Sequence, residues 1–560
     1  MPDTKLNRLL IETDDVLNRL LTNMHKTAAK SAGWSEEGFD PAAGQLLGDE
    51  DLQALPVAND LEKNLAICRA VMPSWDLITH TMQFGSGPGN SAALVYLAGM
   101  TDAKHLEKTI MPAIQRAWHD THYDLFGSLK RAILPTSSTE VTDFQAALNW
   151  LLYGGVLLFV AGQGSALAFY ERGWPTRAVE DSDSERVVRG AHESFVEDLL
   201  SNTALVRHRL RSPNLIIETI RLGRMTQTEV ALFYVRGLAS SGLVQELRAR
   251  LQRIDIDGVL EINYLSENIQ DSRFSLFPLI LDTERPDRVV AGLLEGKVAV
   301  LAEGSARALL MPADIISLLQ TADDYYTAFP VASVLRLLRI TSLLVSLFLP
   351  ALYIAVTSFH QEMLPTRLLT SVAAARIGVP FPGLLEAVLT ELSLEVLRKA
   401  SLRMPNKLSS TIGIVGAVVL GQVAVQAGLV SPAMLIVVAV TAVASFTNPS
   451  FALGLSLRYL RFGLMLMAGS LGLYGLMLGS LLILVHLNSL RSFGVPYLPP
   501  LEPSYLQTYG DFFIRRPLWR HSLRPPNQMP QNRVQQSHPI GPQSPQSDTE
   551  QGGEKDETGS

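Results

Sequence analysis

The sequence predicts an α/β cytosolic module of two tandem subdomains followed by an α-helical multi-pass membrane domain. Three observations lead to this fold class. At 560 residues the chain is too long for a single hydrophobic core. Charged residues recur throughout residues 1–339, whereas Leu, Val, Ala, Gly and Met dominate residues 341–490. Within the charged half, an apolar run, a small-residue turn and a second apolar run occur together at two places.

The charge balance and the first residues restrict the function classes. The formal net charge is −7, and no basic footprint indicates nucleic-acid binding. The opening residues, MPDTKLNRLLIETDDVLNRLL, lack the apolar core of a secretory signal peptide, so we expect the soluble half to face the cytosol. Cys68 is the sole cysteine, which excludes an intramolecular disulfide and a multi-cysteine metal site. We expect Cys68 to be a small buried hydrophobe.

Two β-hairpin patterns organise the charged half. LLFVAGQGSALAFY at 157–170 and KVAVLAEGSARALLM at 297–311 share the same plan of apolar run, turn and apolar run. Helical patterns such as HESFVEDLLSNTALVRHRL and GLVQELRARLQRI lie between them. The pattern predicts a first α/β subdomain over residues 61–205 and a second over residues 206–330.

The sequence predicts no enzyme, cofactor or metal site. GSGPGN at 85–90 lacks the Lys-Ser or Lys-Thr ending of a phosphate-binding loop, and we expect a plain loop there. His192, His208, His360 and His486 fall in unrelated contexts, and neither HExxH nor GxSxG occurs.

We expect residues 1–60 to be a flexible N-terminal segment and residues 491–560 to be a largely disordered C-terminal tail. From Pro525 onward the chain is rich in Pro, Gln, Ser and Gly and nearly free of large apolar residues. Such a composition does not supply enough apolar surface for a packed core.

The membrane domain is predicted over residues 335–490. A crossing helix needs about 20 apolar residues, and 341–359 meets that length. Residues 409–457 carry no charge and are interrupted by GLVSP at 428–432, which predicts two spans joined by a tight hairpin. A further span is predicted at 462–487.

Four glycines of that last span, Gly469, Gly472, Gly475 and Gly479, recur at helical spacing. Either they allow close approach of a neighbouring helix, or they are simply small residues in a span.

A glutamate-bearing helix is predicted between the first span and the hairpin. Pro380 and Pro382 break the chain, and helical spacing then resumes with Glu386, Glu391 and Glu395. This helix either lies at the membrane interface or crosses the membrane shielded by protein and water.

Basic residues favour the shielded crossing, because short basic loops prefer the cytoplasmic side. Three pairs precede the predicted spans: Arg336 with Arg339, Arg403 with Lys407, and Arg458 with Arg461. If all three pairs are cytoplasmic, the glutamate-bearing helix crosses back. Five crossings would then place the tail outside, yet the tail carries four arginines of its own, at 515, 516, 520 and 524. The number of crossings stays open at four to six.

Two short segments are candidates for pore or gating roles. SFHQEMLPT follows the first span and contains Glu362 and Pro365. Glu362 either is an exposed charge in a membrane-edge turn or lies at a pore mouth, where a ring of carboxylates concentrates cations. Asn448 and Pro449 interrupt the second arm of the hairpin and should face protein or water, because hydrocarbon offers no polar partner.

Three long stretches carry a family resemblance. They are PTRAVEDSDSERVVRGAHESFVEDLLSNTALVRHRLRSPNL, RIDIDGVLEINYLSENIQDSRFSLFPLILDTERPDRVVAGLLEGKVAVL, and a run from SFHQEMLPT through VPFPGLLEAVLTELSLEVLR to GQVAVQAGLVSPAMLIVVAVTAVASFTNPSF. In fixed order over most of residues 60–490, they resemble the A subunits of nutrient germinant receptors of bacterial endospores, the GerA family. The chain departs from the family pattern at Ala191, where a proline is common, and at EDSDSE.

The resemblance implies a subunit that couples nutrient sensing to ion release and germination. It implies two partners, a transporter-like B subunit and a lipoprotein C subunit, and a place in the inner membrane of the spore. It also implies a homo-oligomer that forms a ring around an ion channel, in contact with membrane lipid and without nucleic acid. The alternative function is a membrane transporter subunit, which would require paired inverted repeats, whereas one broken region, VPFP, is evident.

Overall fold

The computed structural model describes most residues between 52 and 535. The described ranges are 52–53, 55–84, 91–119, 127–129, 138–173, 191–402, 421–499 and 511–520, together with residues 48, 185, 190, 523–525, 530–532 and 534–535. The glycine-rich loop at 85–90, most of EDSDSE and most of both terminal segments lie outside the described residues.

The first subdomain is a five-stranded antiparallel sheet with helices on both faces. Its elements are α1 (Leu61–Val71), β1 (Leu77–Gln83), β2 (Ser91–Leu97), α2 (the consecutive pieces Ala103–His105, Leu106–Ile110 and Met111–His119), β3 (Thr139–Val141), α3 (Phe144–Leu152), β4 (Gly155–Val160) and β5 (Ala166–Tyr170). The strand order is β1-β2-β4-β5-β3. Because side chains alternate along a strand, Val95 and Leu157 pack with α1 and α3, while Leu94 and Leu158 pack with α2.

Two predictions for this subdomain are confirmed. LLFVAGQGSALAFY forms the antiparallel pair β4 and β5. Cys68 is fully buried in α1, and burial raises the pKa of its thiol to about 12. Leu52, Leu55 and Val57, which precede the predicted start of this subdomain, are buried in the same core.

The second subdomain is also a five-stranded antiparallel sheet between helices. Its elements are α4 (Leu199–Arg209), β6 (Leu215–Leu222), β7 (Thr228–Val235), α5 (Ser241–Gln252), α6 (Asn263–Ile269), β8 (Leu281–Thr283), α7 (Pro286–Leu294), β9 (Val298–Ala302), β10 (Ala308–Met311), α8 (Ile315–Leu319) and α9 (Asp323–Tyr326). KVAVLAEGSARALLM forms the predicted hairpin β9 and β10. The mixed α/β character of the first half is thereby confirmed.

The two subdomains repeat one another, which the sequence analysis did not detect beyond the hairpins. The second sheet has the order β6-β7-β9-β10-β8, the same arrangement as the first. Each repeat opens with an 11-residue helix capped by an aspartate, in DLEKN and in DLLSN. Asn64 makes two hydrogen bonds to the backbone of Ala58 (2.9 and 2.7 Å), and Asn202 makes the same two to Val196 (2.8 and 2.5 Å).

A buried ion pair joins the repeats. Arg207 of α4 and Asp76, which precedes β1, are both fully buried. The guanidinium donates from Nε to Asp76 Oδ2 (3.0 Å) and from Nη2 to Asp76 Oδ1 (2.9 Å). Beside it, the Trp75 amide donates to the Ile217 carbonyl (2.9 Å), so the first repeat is also hydrogen-bonded to the edge strand of the second sheet.

The second half of the chain is helical. Its helices are α10 (Phe329–Phe359), α11 (Thr366–Arg376), α12 (Gly383–Leu402), α13 (Gly421–Gln426), α14 (Pro432–Ser445) and α15 (Phe451–Ser489). By length and composition, α10 and α15 could each cross a membrane. The predicted interruption at GLVSP is confirmed, because it separates α13 from α14.

The predicted interruption of the second arm of the charge-free hairpin is confirmed, because α14 ends at Ser445, just before Asn448 and Pro449. The structure corrects two other sequence-based expectations in this region. The last helix begins at Phe451, before the predicted start of its span. Arg458 and Arg461 therefore lie inside α15, where carboxylates of α12 pair with them, and not in a loop that precedes it.

The 39-residue α15 folds back on itself at Gly472, which has φ 62° and ψ −140°. A Cβ at Gly479 would lie 2.7 Å from Leu464 Cδ2, although 15 residues of straight helix span about 22 Å. Residues 451–471 and 473–489 are thus two antiparallel arms. Of the two alternatives for the glycines, the structure shows the close approach: Gly475 and Gly479 pack against the first arm, and Gly469 packs against α12.

The helices have two distinguishable ends. At the junction end they meet the second subdomain: Ser456 Oγ donates to the Leu276 carbonyl, and the His486 ring lies 6.0 Å from the Phe277 ring. At the distal end, Gly472 packs against the C-terminal end of α10. Ser456 and His486 belong to different arms of α15, so both arms reach the junction end.

Residues 491–499, which the sequence analysis assigned to the tail, lie against the second subdomain. β11 (Arg491–Ser492) and β12 (Val495–Pro496) form a hairpin, and Tyr497 after them is fully buried. Ser492 Oγ accepts from the Ala313 amide (3.0 Å) and donates to the Leu279 carbonyl (2.6 Å).

Candidate functional site

HQEMLPT forms the distal turn between α10 and α11. α10 ends at Phe359, a 3₁₀ turn covers Gln361–Met363, and Pro365 takes the N-cap position of α11. Glu362 is exposed at this turn. The structure therefore leaves the carboxylate at the surface, at the end of the first apolar helix.

Asn448 and Pro449 lie in the break between α14 and α15. Ser450 follows as the N-cap of α15, and its hydroxyl accepts from the Leu453 amide (3.3 Å). Both side-chain polar atoms of Asn448 are buried without a hydrogen-bond partner among the described residues. An unsatisfied buried amide is costly, so this side chain needs a polar partner.

The structure does not bring the four predicted residues together. Glu362 and Pro365 lie at the distal end of the helices. Asn448 and Pro449 lie at the junction end, just before the arm that carries Ser456. One pore constriction cannot contain both pairs in a single copy of the chain.

A buried ion pair connects α12 to α15. Arg461 Nη1 lies 3.0 and 2.9 Å from the two carboxylate oxygens of Glu391, and both residues are buried. Both residues are evident in the sequence, but their pairing is not. The available signal was the set of glutamates in one largely apolar helix and of arginines in another, because charges within apolar helices need partners.

A second charged group lies beside this pair, toward the junction end. Glu395 Oε2 accepts from Arg398 Nη1 (3.0 Å), and Glu395 Oε1 lies 3.6 Å from Arg458 Nη1. Arg398 also stacks on the Phe446 ring, at 5.2 Å from the ring centroid. α12, α14 and α15 are thereby linked through charged side chains.

Glu386 connects α12 to the start of α14 at the distal end. Its side chain is fully buried, and Oε1 accepts from both the amide and the hydroxyl of Ser431 (2.6 Å each). Ser431 is the N-cap of α14, where a negative charge is favourable. Glu386 Oε2 lies 3.9 Å from Arg376 Nε. The three glutamates of α12 are thus all paired.

A charged cluster fixes the start of α10 to the second subdomain. Asp324 accepts from Arg336 Nε (2.9 Å) and from Arg339 Nη1 and Nη2 (3.0 Å each). Burial pushes the pKa of Asp324 upward, but hydrogen bonds and charge from both arginines outweigh it and hold that pKa below its ordinary value. The carboxylate stays ionised at neutral pH.

Residues 511–520 pack onto this cluster. Asp511 accepts from the Tyr325 hydroxyl (2.8 Å), and its carbonyl accepts from Arg336. Arg515 donates to the Thr327 carbonyl (3.2 Å). The segment therefore lies at the junction end, beside the first residues of α10.

The chain is similar to spore germination proteins over most of its length. The family described as Bacillus/Clostridium GerA spore germination protein matches residues 66–527. Spore germination protein KA of Bacillus subtilis is 37% identical over 86% of this chain and 89% of its own length. Spore germination protein A1 of Bacillus subtilis is 39% identical over 76% of this chain and 87% of its own length.

One solved structure is also similar. It is the N-terminal domain of the A subunit of the Bacillus megaterium spore germinant receptor GerK3, which is 29% identical to this chain. The match covers 46% of this chain and 96% of that domain, with a TM-score of 0.36.

Proposed function

Because the chain belongs to the GerA family of Bacillus/Clostridium spore germination proteins, we propose that it is the A subunit of a nutrient germinant receptor. In this role it couples nutrient sensing to ion release as an oligomeric channel in the spore inner membrane. A transporter-like B subunit and a lipoprotein C subunit are its proposed partners. The A-type relatives support the role in germination.

The proposed membrane arrangement has six crossings. α10 runs from the junction end to the distal end and α12 returns, since Glu386 is distal and Glu395 lies toward the junction. The third crossing is the predicted span from 409 to the break at 428, most of which lies outside the described residues. The chain is again distal at Gly428, where a Cβ would lie 3.0 Å from the Gly378 carbonyl oxygen. α14 then returns to the junction end, and the two arms of α15 form the last crossings.

An even number of crossings would place the tail and its arginines on the cytoplasmic side. In this proposal the fold-back at Gly472 adds a crossing that hydropathy alone does not reveal, because α15 is apolar on both sides of Gly472. The chain after α15 then lies on the same side as the α/β subdomains, where Asp511 and Arg515 contact the junction cluster.

The observation that carries the coupling role is the charged cluster at the start of α10. A conformational change in the second subdomain moves Asp324, which binds Arg336 and Arg339 of α10 directly. The three side chains are buried or nearly so. Separating a buried ion pair leaves uncompensated charges in the interior, which is costly, so the pairs should stay together when the subdomain moves. A movement of the subdomain therefore displaces the first membrane helix.

Exposure at the distal end supports the proposed pore-mouth role of Glu362. In a ring of several copies, exposed carboxylates at one level attract cations to the entrance. We expect Glu362→Gln to reduce nutrient-triggered potassium efflux from spores while receptor levels stay normal. Glu267→Gln removes an exposed charge from the α/β region and serves as the control. Unchanged efflux at unchanged receptor level would refute the pore-mouth role.

Deletion of the chain in the spore former tests the proposed function as a whole. Loss of nutrient-triggered germination, with germination by non-nutrient routes retained, is the expected result. Normal nutrient germination would contradict the proposal, provided that no second receptor answers the same nutrient. Spores that carry this receptor alone meet that condition.

A further inference from the structure

The loop between α6 and β8 exposes apolar side chains at its tip. Phe274 is 98% exposed and Leu276 is 51% exposed, and the neighbouring Arg273 is also exposed. The next residue along, Phe277, is buried. The loop therefore buries one of its phenylalanines, Phe277, and leaves the other, Phe274, exposed together with Leu276.

The base of the loop is attached to both arms of α15. The Leu276 carbonyl accepts from Ser456 of the first arm, and Phe277 packs against His486 of the second. Asp271, at the start of the loop, accepts from the Phe493 amide (2.5 Å) just after the second arm ends. The loop tip is thus held at the level where α15 leaves the helical region.

Aromatic side chains of the helical region are exposed at the same level. Phe451 and Tyr459 lie within about two turns of Ser456 on α15 and are exposed. Phe446, after α14, is exposed too. Exposed tyrosines near helix ends, such as Tyr459, are typical of the membrane–water interface, where their rings lie at the headgroup level.

We propose that the tip of this loop inserts into the lipid headgroup region, with Phe274 and Leu276 in the acyl boundary and Arg273 beside lipid phosphate. This inference rests on the proposed membrane location of the helices. The loop would then contact the bilayer directly, in addition to the attachment of the second subdomain to the membrane helices. This contact fixes the orientation of the second subdomain relative to the membrane.

The small size of the patch favours lipid over a protein partner. A phenylalanine and a leucine together offer a few hundred Å² at most, whereas a stable protein interface buries about 800 Å² on each side. Lipid insertion needs no such minimum, because α15 already holds the loop at the membrane. The positive charge of Arg273 also matches anionic headgroups.

Labelled cysteine variants of the full chain test this contact. Phe274→Cys is labelled with an environment-sensitive fluorophore and reconstituted into vesicles of zwitterionic and anionic phospholipid that contain nitroxide-bearing lipid. Cys68 can stay, because its thiol is fully buried and its pKa is raised to about 12. Fluorescence is quenched from the lipid side by the nitroxide and from the water side by iodide.

Met225→Cys is the matched control, because it labels an exposed apolar position that we expect to lie away from the membrane. Met225 is an apolar residue that is 83% exposed in the β6–β7 turn. Strand register places this turn at the same end of the sheet as the β9–β10 turn, because Val230 pairs with Ala302. The loop leads into β8 at the opposite end, where Leu281 pairs with Leu310.

Leu481→Cys, exposed near the middle of the second arm of α15, reports the membrane location itself. We expect headgroup-proximal nitroxide to quench the label at 274 several-fold more than the label at 225, and iodide to quench it less. If the label at 481 is quenched by lipid but 274 behaves like 225, the loop proposal is overturned and the membrane location stands. Shielding of 274 from both quenchers would mean that protein covers the loop, which also overturns it. Absence of lipid quenching at 481 would refute the membrane location and the loop proposal together.

Discussion

Neutralising Asp76 should destabilise the α/β region strongly. Asp76→Asn keeps the shape of the side chain but leaves the Arg207 guanidinium fully buried without its counter-charge. The arginine retains hydrogen bonds to the Leu215 carbonyl (3.0 Å) and to Ser74 Oγ (3.0 Å), and loses two charge-assisted ones.

The expected loss in the free energy of unfolding is about 3–5 kcal/mol, the usual cost of leaving one charge of a buried pair unpaired. Two hydrogen bonds to charged groups, at about 1.5–3 kcal/mol each, give about 3–6 kcal/mol, which overlaps this range. A marginally stable domain has about 5–15 kcal/mol in total, so the variant approaches unfolding at room temperature.

Urea unfolding of a fragment from residue 48 to residue 330 measures this effect. We expect the fragment to be monodisperse and mixed α/β by circular dichroism. Trp75, next to the ion pair, provides a fluorescence probe of the boundary between the repeats. A loss below about 1 kcal/mol, the range of exposed ion pairs, would refute the reasoning.

Two further variants separate charge from packing. Arg224→Ala removes an exposed arginine that lies 3.1 Å from exposed Asp255 and should cost less than about 1 kcal/mol. Asp76→Leu combined with Arg207→Met replaces both charges with apolar groups and should recover much of the lost stability, because no buried charge is left unpaired.

The remaining predictions concern the helical region and its junction. Asp324→Asn should increase hydrogen exchange in residues 511–520 at neutral pH. In the native chain the pKa of Asp324 is below its ordinary value of 3.8, so the ion pairs stabilise the junction fully above pH 3.8 and are lost only as the pH falls through the lower pKa of the folded state. Exchange in residues 511–520 of the native chain should therefore rise only in strong acid. Equal exchange in the variant and the native chain would contradict this. Asn448→Leu should lower receptor level or germination rate, and normal values of both would show that the amide needs no polar partner. Gly475→Leu should prevent stable assembly, because a side chain there overlaps the Met467 carbonyl; Gly463→Leu, with open space around it, is the control, and equal receptor levels would exclude the fold-back.

The sequence by itself determined the features that depend on neighbouring residues. Both hairpins are local, since an apolar run, a turn and a second run suffice to pair adjacent strands. The breaks at GLVSP and VPFP follow from proline and glycine, which interrupt a helix wherever they occur. The burial of Cys68 and the division into a charged and an apolar half likewise required no distant contact.

Only the tertiary structure decided the features that join distant residues. Asp76 pairs with Arg207, and Glu391 pairs with Arg461, across separations that no periodicity encodes. Arg458 and Arg461 resemble loop charges in the sequence, since a charge within an apolar helix is favourable only when a particular partner faces it. The fold-back at Gly472 also escapes hydropathy, because both arms are apolar, and the turn depends on how Gly475 and Gly479 pack against the first arm. Turn chemistry and hydrophobic period act over a few residues, whereas charge pairing and close packing depend on which distant segments the fold brings together.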